Sequence, residues 1–245
     1  MDYADRYFAF VDILGFSNLI RQSHRGEVDV KEVHQLLKIV HRPNRKSGRT
    51  RTLDSGLRYQ SISDAVAISA KATEDGLEHI LLALQDLSFR LLRMGYFVRG
   101  GLVRGQLFHE ENIVFGPALL DAYHLESTIA KFPRIMIPRK VMLEIQNTSI
   151  SSQLQRFTVQ GNDGPFAINV LAEMDGSTPE DYRSFLLPQM KQIADQIRIR
   201  LDEATDNPSH FEKVQWFAST WNDGIPNWAS ECEVKGPGLI RLLAI

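Results

Sequence analysis

Phe8-Ala9-Phe10-Val11-Asp12-Ile13-Leu14-Gly15-Phe16-Ser17 is the stretch on which the fold turns. From Tyr7 to Val11 the residues are apolar or aromatic without a break, which reads as a strand buried on both faces, since a half-exposed strand would alternate. The run ends on a carboxylate, Asp12, and Gly15 then breaks the chain. Ser17 offers an N-cap, so a helix is expected to about Ser23, stopped by Gly26. A strand that enters a helix this way sets a negative side chain beside open backbone amides, the first suited to a cation and the second to an anion.

Working outward, Asp29 with Glu32 reads as a cap for a second helix whose Val33, Leu36, Leu37 and Val40 share one face. From His41 to Arg51 the chain carries Arg42, Arg45, Lys46, Arg49 and Arg51 with no acid. This loop is either a solvated connection or a phosphate-facing flap. Leu57 to Ser61 and Ala65 to Ser69 form a hairpin around Ser63-Asp64. Leu77, Ile80, Leu81, Leu84, Leu87, Leu91 and Leu92 stripe a long helix ended by Gly95, and a strand through Leu107 follows. Its Gly100, Gly101 and Gly105 predict a bulge or a close approach by another backbone or a ligand. The order strand, helices, strand, strand, helix, strand is the ferredoxin-like βαββαβ arrangement of an α+β fold.

Beyond it, Ile113 to Phe115 is a short strand, Ala118 to about Ala130 a helix, and Arg134 to Ile137 an edge strand. Phe166 to Leu171 is strand-like, Thr178-Pro179 opens a long helix to about Glu203, and Asn207-Pro208 opens a shorter one through Trp221. Two domains are expected: residues 1–145 as the α+β unit, and 146–245 as a mostly helical C-terminal extension packed on that core or on a dimer. Trp216, Trp221 and Trp228 serve that packing.

The 245 residues carry 43% hydrophobic and 24% charged side chains and a net charge of −2, the make-up of an ordinary globular protein. No global positive field draws nucleic acid or an anionic membrane. Cys232, the single cysteine, rules out an intramolecular disulfide and a cysteine-based zinc site. Two acids, Asp2 and Asp5, stand where a signal peptide carries basic residues, and apolar runs such as Ile80 to Leu84 are too short for a membrane span. A cytoplasmic protein is expected.

Chemistry concentrates on Asp12 and Asp64. In the βαββαβ order the first strand is central and neighbours the second hairpin strand, which brings the two acids together. Burying carboxylates at strand ends is costly without a compensating cation, and oxygen ligands suit Mg²⁺ or Mn²⁺. The plainer alternative makes Asp12 a helix cap and Asp64 a turn residue. No His-Glu-x-x-His, P-loop, Gly-x-Ser-x-Gly or Gly-x-Gly-x-x-Gly pattern offers another chemistry.

The stretch from Phe8 to Ser17 resembles the first metal motif of class III nucleotidyl cyclases, and Ser63-Asp64-Ala65 resembles their second, where Gly-Asp is usual. Arg99-Gly100-Gly101-Leu102-Val103-Arg104-Gly105 is similar to their Arg-x-Gly-Ile-x-x-Gly strand, and Phe115-Gly116-Pro117-Ala118 to the glycine before their next helix. The four motifs, in order, cover about residues 7 to 137. Asp-Ile-Leu-Gly-Phe-Ser, Ser-Asp-Ala, Gly-Pro-Ala-Leu and the Ala122 to Glu126 segment, with the extension, look most like the bacterial pyrimidine cyclases of antiphage defence, the Pycsar type.

That resemblance implies conversion of UTP, or alternatively CTP, to a 3′,5′-cyclic monophosphate read by a separate effector. It implies two divalent ions held by Asp12, Asp64 and the Ile13 carbonyl, and a head-to-tail homodimer with active sites at the interface. Gly15, Phe16 and Ser17 would cradle phosphate, and Arg99, the better match to the family, and Arg104 would bind the polyphosphate; the plainer alternative makes each a structural or surface arginine paired with an acid. Leu120 and His124 depart from the family, standing where purine cyclases carry a ribose Asn and a transition-state Arg. His124 is either a substitute donor or simply packed. Gln60 stands where purine enzymes read the base with Lys or Glu; its neutral amide suits uracil or cytosine, and Tyr59 could fill the space left by a smaller base. By strand alternation Gln60 shares a face with Asp64 while Tyr59 points away, unless the hairpin is bulged. A purine cyclase and a noncatalytic cyclase-like module stay open; an RNA-binding ferredoxin-like domain has the near-neutral charge against it.

Overall fold

The computed structural model describes residues 2–41, 55–110, 112–236 and 239. The basic segment expected to form a loop therefore lies, from residue 42 onward, outside the described residues.

In chain order the elements are β1 (Ala4–Ile13), α1 (Phe16–His24), α2 (Val30–His41), β2 (Arg58–Ile62), β3 (Ala65–Lys71), α3 (Glu74–Arg93), β4 (Val98–Glu110), β5 (Ile113–Phe115) and α4 (Pro117–His124). A π-helical turn, Leu125–Ile129, continues α4. There follow β6 (Ile135–Ile137), α5 (Arg139–Gln146), α6 (Ser151–Gln155), β7 (Thr158–Gln160), β8 (Phe166–Ile168), α7 (Glu180–Glu203), α8 (Pro208–Gly224) and a 3-10 helix, Asn227–Cys232.

The fold is α+β with a mixed sheet in the order β2-β3-β1-β4-β6-β8-β7, β5 pairing with β4. Its first four strands are antiparallel neighbours, with β1 between β3 and β4. This is the ferredoxin-like arrangement, and β1 is central and buried, as its unbroken apolar run requires. Beyond it the sheet departs from that pattern: β6 runs parallel to β4, and the β7–β8 hairpin pairs onto β6. The 134–137 segment is thus an interior strand rather than an edge. Of the hairpin that covers it, β8 is the strand-like 166–171 segment, paired only over Phe166–Ile168, whereas β7 is three residues long and mostly exposed, too short to leave a period-two signal in the sequence.

Side-chain alternation on β1 sends its two faces into different cores. Tyr7, Ala9, Val11 and Ile13 meet α1, α2, α5 and the leucine stripe of α3. Phe8 and Phe10 face Ala65, Ala67 and the Ala118 and Ala122 side of α4. A third cluster joins Phe89, Leu92 and Phe97 to α7, α8 and Trp221, so the segment after 146 both extends the sheet and packs on α3.

Three terminal details differ from expectation. Gly15, not Ser17, is the N-cap of α1, at φ 82°, a left-handed conformation that costs glycine little. Thr178 does not cap α7, which begins after Pro179; its hydroxyl accepts from Asp175 N and donates to Glu173 O. The helix expected to reach Ala130 leaves α geometry at Leu125. Single π turns often mark functional positions.

Candidate active site

The site forms at the end of β1. Strand register places Asp12 opposite Ala65 on one side and Arg99 on the other, in one row and on the face that carries Phe10. Asp64 precedes Ala65 in a two-residue hairpin turn whose first residue, Ser63, has φ 58°. This is a position glycine takes more cheaply. Beside the carboxylates α1 begins with no side-chain cap, leaving its first-turn amides open to an anion.

Asp12 is partly buried, and its carboxyl is pushed up to about 7. Desolvation is the main cause; the negative charges of Glu126 and Asp64 add to it, while Arg99 and the Ile13 N–H oppose it. Four groups, Asp12, Asp64, Glu126 and Arg99, are therefore near enough to feel one another. Arg99 Nε donates to Glu126 Oε1 at 2.7 Å, and its Nη2 pairs with the same oxygen. Among the described residues no three His, Cys, Asp or Glu side chains already surround one point as a cage. The donors on hand are two carboxylates and main-chain oxygen. An all-oxygen set with excess negative charge fits Mg²⁺ or Mn²⁺, which keep waters and share ligands with substrate phosphates.

Glu126, which no motif singles out as a site residue, is 4% exposed and holds the site's arginine. Its signal was spacing. Ala118 and Ala122 on the buried side of α4 and Glu126 in the π turn that continues it fall four apart. Gly101 explains how the π turn comes so close to β4: a β-carbon there would lie 2.6 Å from Leu125 Cβ. Close approach is what the glycine-rich strand predicted.

The other candidates divide. Gly15 and Ser17 are exposed at the α1 terminus, whereas the Phe16 ring is buried in the core, leaving only its backbone for a ligand. Ile13 likewise buries its side chain. Gln60 pairs with Ala67 and shares the Asp12 face; its Nε2 donates to Asn112 O at 2.6 Å, and its buried Oε1 has no partner among the described residues. Tyr59 lies on the opposite face, where it packs against the α3 side of the core and burial pushes its phenol up. The hairpin is regular, so alternation turns Tyr59 away from the other candidates.

Arg104 is also removed from the site. Five residues beyond Arg99 on the same strand, it takes the other face, where it binds Asp5 at 2.7 Å and Glu144 at 3.1 Å and lies over the Tyr7 ring. Within this chain it cannot reach an anion beside Asp12. His124 ends α4 and is exposed, as are Leu120, Tyr123 and Phe115 nearby.

No protein-family model matches the chain, and no curated protein matches its sequence. Among solved structures, the catalytic core of a rhodopsin-guanylyl cyclase with converted specificity, in complex with ATPαS, is similar over 69% of this chain and 97% of its own, at 15% identity and a TM-score of 0.44. An adenylate/guanylate cyclase/hydrolase from Silicibacter pomeroyi is similar over 69% of this chain and 96% of its own, at 14% identity and a TM-score of 0.40.

Proposed function

We propose that the chain is a nucleotidyl cyclase that converts a pyrimidine nucleoside triphosphate, UTP in the first place, to its 3′,5′-cyclic monophosphate and pyrophosphate. The observation that carries the reading is the convergence of Asp12, Asp64, Arg99 and Glu126 beside the uncapped start of α1. The reaction forms a bond from the ribose 3′-oxygen to the α-phosphorus, breaks the bond to pyrophosphate and releases the 3′-hydroxyl proton; no covalent enzyme intermediate is needed.

Asp12 and Asp64, with the Ile13 carbonyl, would hold two divalent ions. When bound, such ions supply a more acidic 3′-hydroxyl and charge neutralisation of the triphosphate. The amides of Gly15, Phe16 and Ser17 orient phosphate oxygens. Arg99, swung between Glu126 and the substrate, offsets the charge that develops on the leaving pyrophosphate. Gln60 reads the base with its unpaired Oε1, a neutral acceptor suited to the N3–H of uracil or, with its amide turned, to cytosine.

A second copy completes the assembly in this reading. Leu120 is 69% exposed and Tyr123 53% on α4, and Ile113 and Phe115 are exposed on β5, apolar surface that a head-to-tail homodimer would cover. The cyclic nucleotide then passes to a separate effector, as in antiphage signalling, in the cytoplasm. No helix among the described residues is long and apolar enough to cross a membrane.

Purified protein incubated separately with UTP, CTP, ATP and GTP and Mn²⁺, with products read by mass spectrometry, tests this. Cyclic UMP is expected. A cyclic purine product would reassign the base pocket, for which the shared metal site leaves room. Absence of pyrophosphate with all four would leave a noncatalytic nucleotide-binding or dimerisation module, the reading that exposed Leu120 and His124 favour.

A further inference from the structure

A cavity of about 180 Å³ lies between the β6–β8–β7 end of the sheet and α8. Val98, Ile135 and Ile168 line it from the sheet, and Trp216, Phe217 and Trp221 from the helix. An apolar cavity of roughly 150 Å³ takes up benzene, so the space matches one ring or two fused rings.

Polar side chains, among them Asn162, Asn169, Thr220 and Asp223, share the lining, and Arg134 gives the cavity its direction. Arg134 lines it and is only 8% exposed. Its two Nη atoms donate to the Asp163 oxygens at 2.7 and 2.6 Å, and its guanidinium lies 5.0 Å from the Trp216 ring centroid. Gly161 leaves room for that pair, since a β-carbon there would lie 2.5 Å from Asp163 Oδ1 and 2.9 Å from Arg134 Nη1. Of the three N–H groups these two bonds leave, Nε–H is buried with no acceptor among the described residues. A buried donor of this kind is costly to leave unmatched.

We propose that this cavity is a binding site for a small, uncharged, planar heteroaromatic molecule with a hydrogen-bond acceptor in or on its ring. The aromatic wall selects a flat ring. Arg134 Nε–H selects the acceptor. The molecule is uncharged rather than anionic because Asp163 already matches the arginine's charge and Asp223 in the lining is itself an acid, so an anion would find no free countercharge. The site adjoins the proposed cyclase centre through the sheet: Arg134 O accepts from Gly100 N at 3.1 Å, and Gly100 follows Arg99. Binding itself does not depend on the cyclase reading, and its failure would leave that reading untouched.

Benzimidazole, indole and benzoate serve as probes, followed by saturation-transfer NMR and by the thermal midpoint of the full chain. Benzimidazole, with a ring nitrogen acceptor, should bind about fivefold more tightly than indole, which has the same shape without one. Benzoate should not bind. Ala167→Leu, which fills the cavity wall, should abolish binding of both rings. Arg134→Met should reduce benzimidazole to the indole affinity and leave indole unchanged; where that variant does not fold, Arg134→Lys, which keeps the charge but lacks Nε–H, replaces it. No binding by either ring, tightest binding by benzoate, equal affinity for both rings, or binding that survives Ala167→Leu would each overturn the proposal.

Discussion

Glu126 holds Arg99: the arginine Nε donates to its Oε1 at 2.7 Å, and both stand beside Asp12. The glutamate is the more deeply buried partner, with 5% of its side chain exposed against 23% for the arginine. Removing the arginine therefore strands a buried charge, whereas removing the glutamate frees a guanidinium that can reach water. Arg99→Ala should cost about 3 kcal/mol in urea unfolding, and Glu126→Ala less. The double variant should cost less than the two added together, by about 1 kcal/mol or more. Additive costs would show that the pair is not coupled.

Asp12→Asn should separate stability from activity. The folded carboxyl is pushed up to about 7, so the folded chain binds this proton more tightly than the unfolded chain does. Asp12 thus favours the fold fully at acid pH, and that contribution is lost as pH rises through 7. A permanently neutral amide avoids the loss and should raise metal-free stability by about 1–3 kcal/mol at about pH 8. Pyrophosphate release should vanish, and Mn²⁺ should raise the thermal midpoint of the wild-type protein only.

His109 carries the opposite pH dependence. It is 2% exposed, its Nδ1 lies 2.8 Å from Ser69 Oγ, and burial together with the charges of Arg6 and Arg58 lowers it to about 4. Arg6 Nε donates to the same Ser69 Oγ, so the neutral ring, the serine and the arginine form one buried hydrogen-bonded cluster. The unfolded chain takes up a proton below about 6.5, and the folded chain does not until about 4. Stability from this group is thus complete above the unfolded value and falls away toward pH 4, by about 2 kcal/mol at about pH 5. Urea midpoints measured across this range should fall in the wild type and flatten in His109→Gln.

Arg104→Ala should report on placement. The side chain ties Asp5 to Glu144 on the face away from Asp12, and its pairs are one-third exposed. Stability should drop by about 1 kcal/mol or less, and kcat/KM for the nucleotide should stay within about twofold. A large loss of kcat/KM would bring Arg104 back to the polyphosphate, by way of a second chain.

Leu120→Asp should disrupt the proposed homodimer without unfolding the subunit, because the leucine is 69% exposed. Sedimentation velocity should show monomers, and cyclisation should fall with dimer content. An unchanged dimer would place the interface elsewhere.

Much of the fold was legible because the deciding signals are local. An unbroken apolar run from Tyr7 to Val11 can only be a central strand in a sheet of this order, and centrality sets Asp12 beside the Asp64 turn and opposite Arg99. Alternation likewise divided Gln60 from Tyr59, and it was the bulge left open at the sequence level that did not form. Gly101 announced a close approach without naming its partner.

Contacts between residues far apart in the chain were decided by tertiary structure alone. Arg99 and Arg104 look equivalent in a glycine-rich strand, but five residues of alternation separate their faces, and only the folded helices supply Glu126 to one and Glu144 to the other. The β7–β8 hairpin turned an apparent edge strand into an interior one. Burial, too, is a property of the packed molecule: the same carboxyl group is an ordinary acid in the extended chain and a strongly shifted one once α4 and its π turn close over β1.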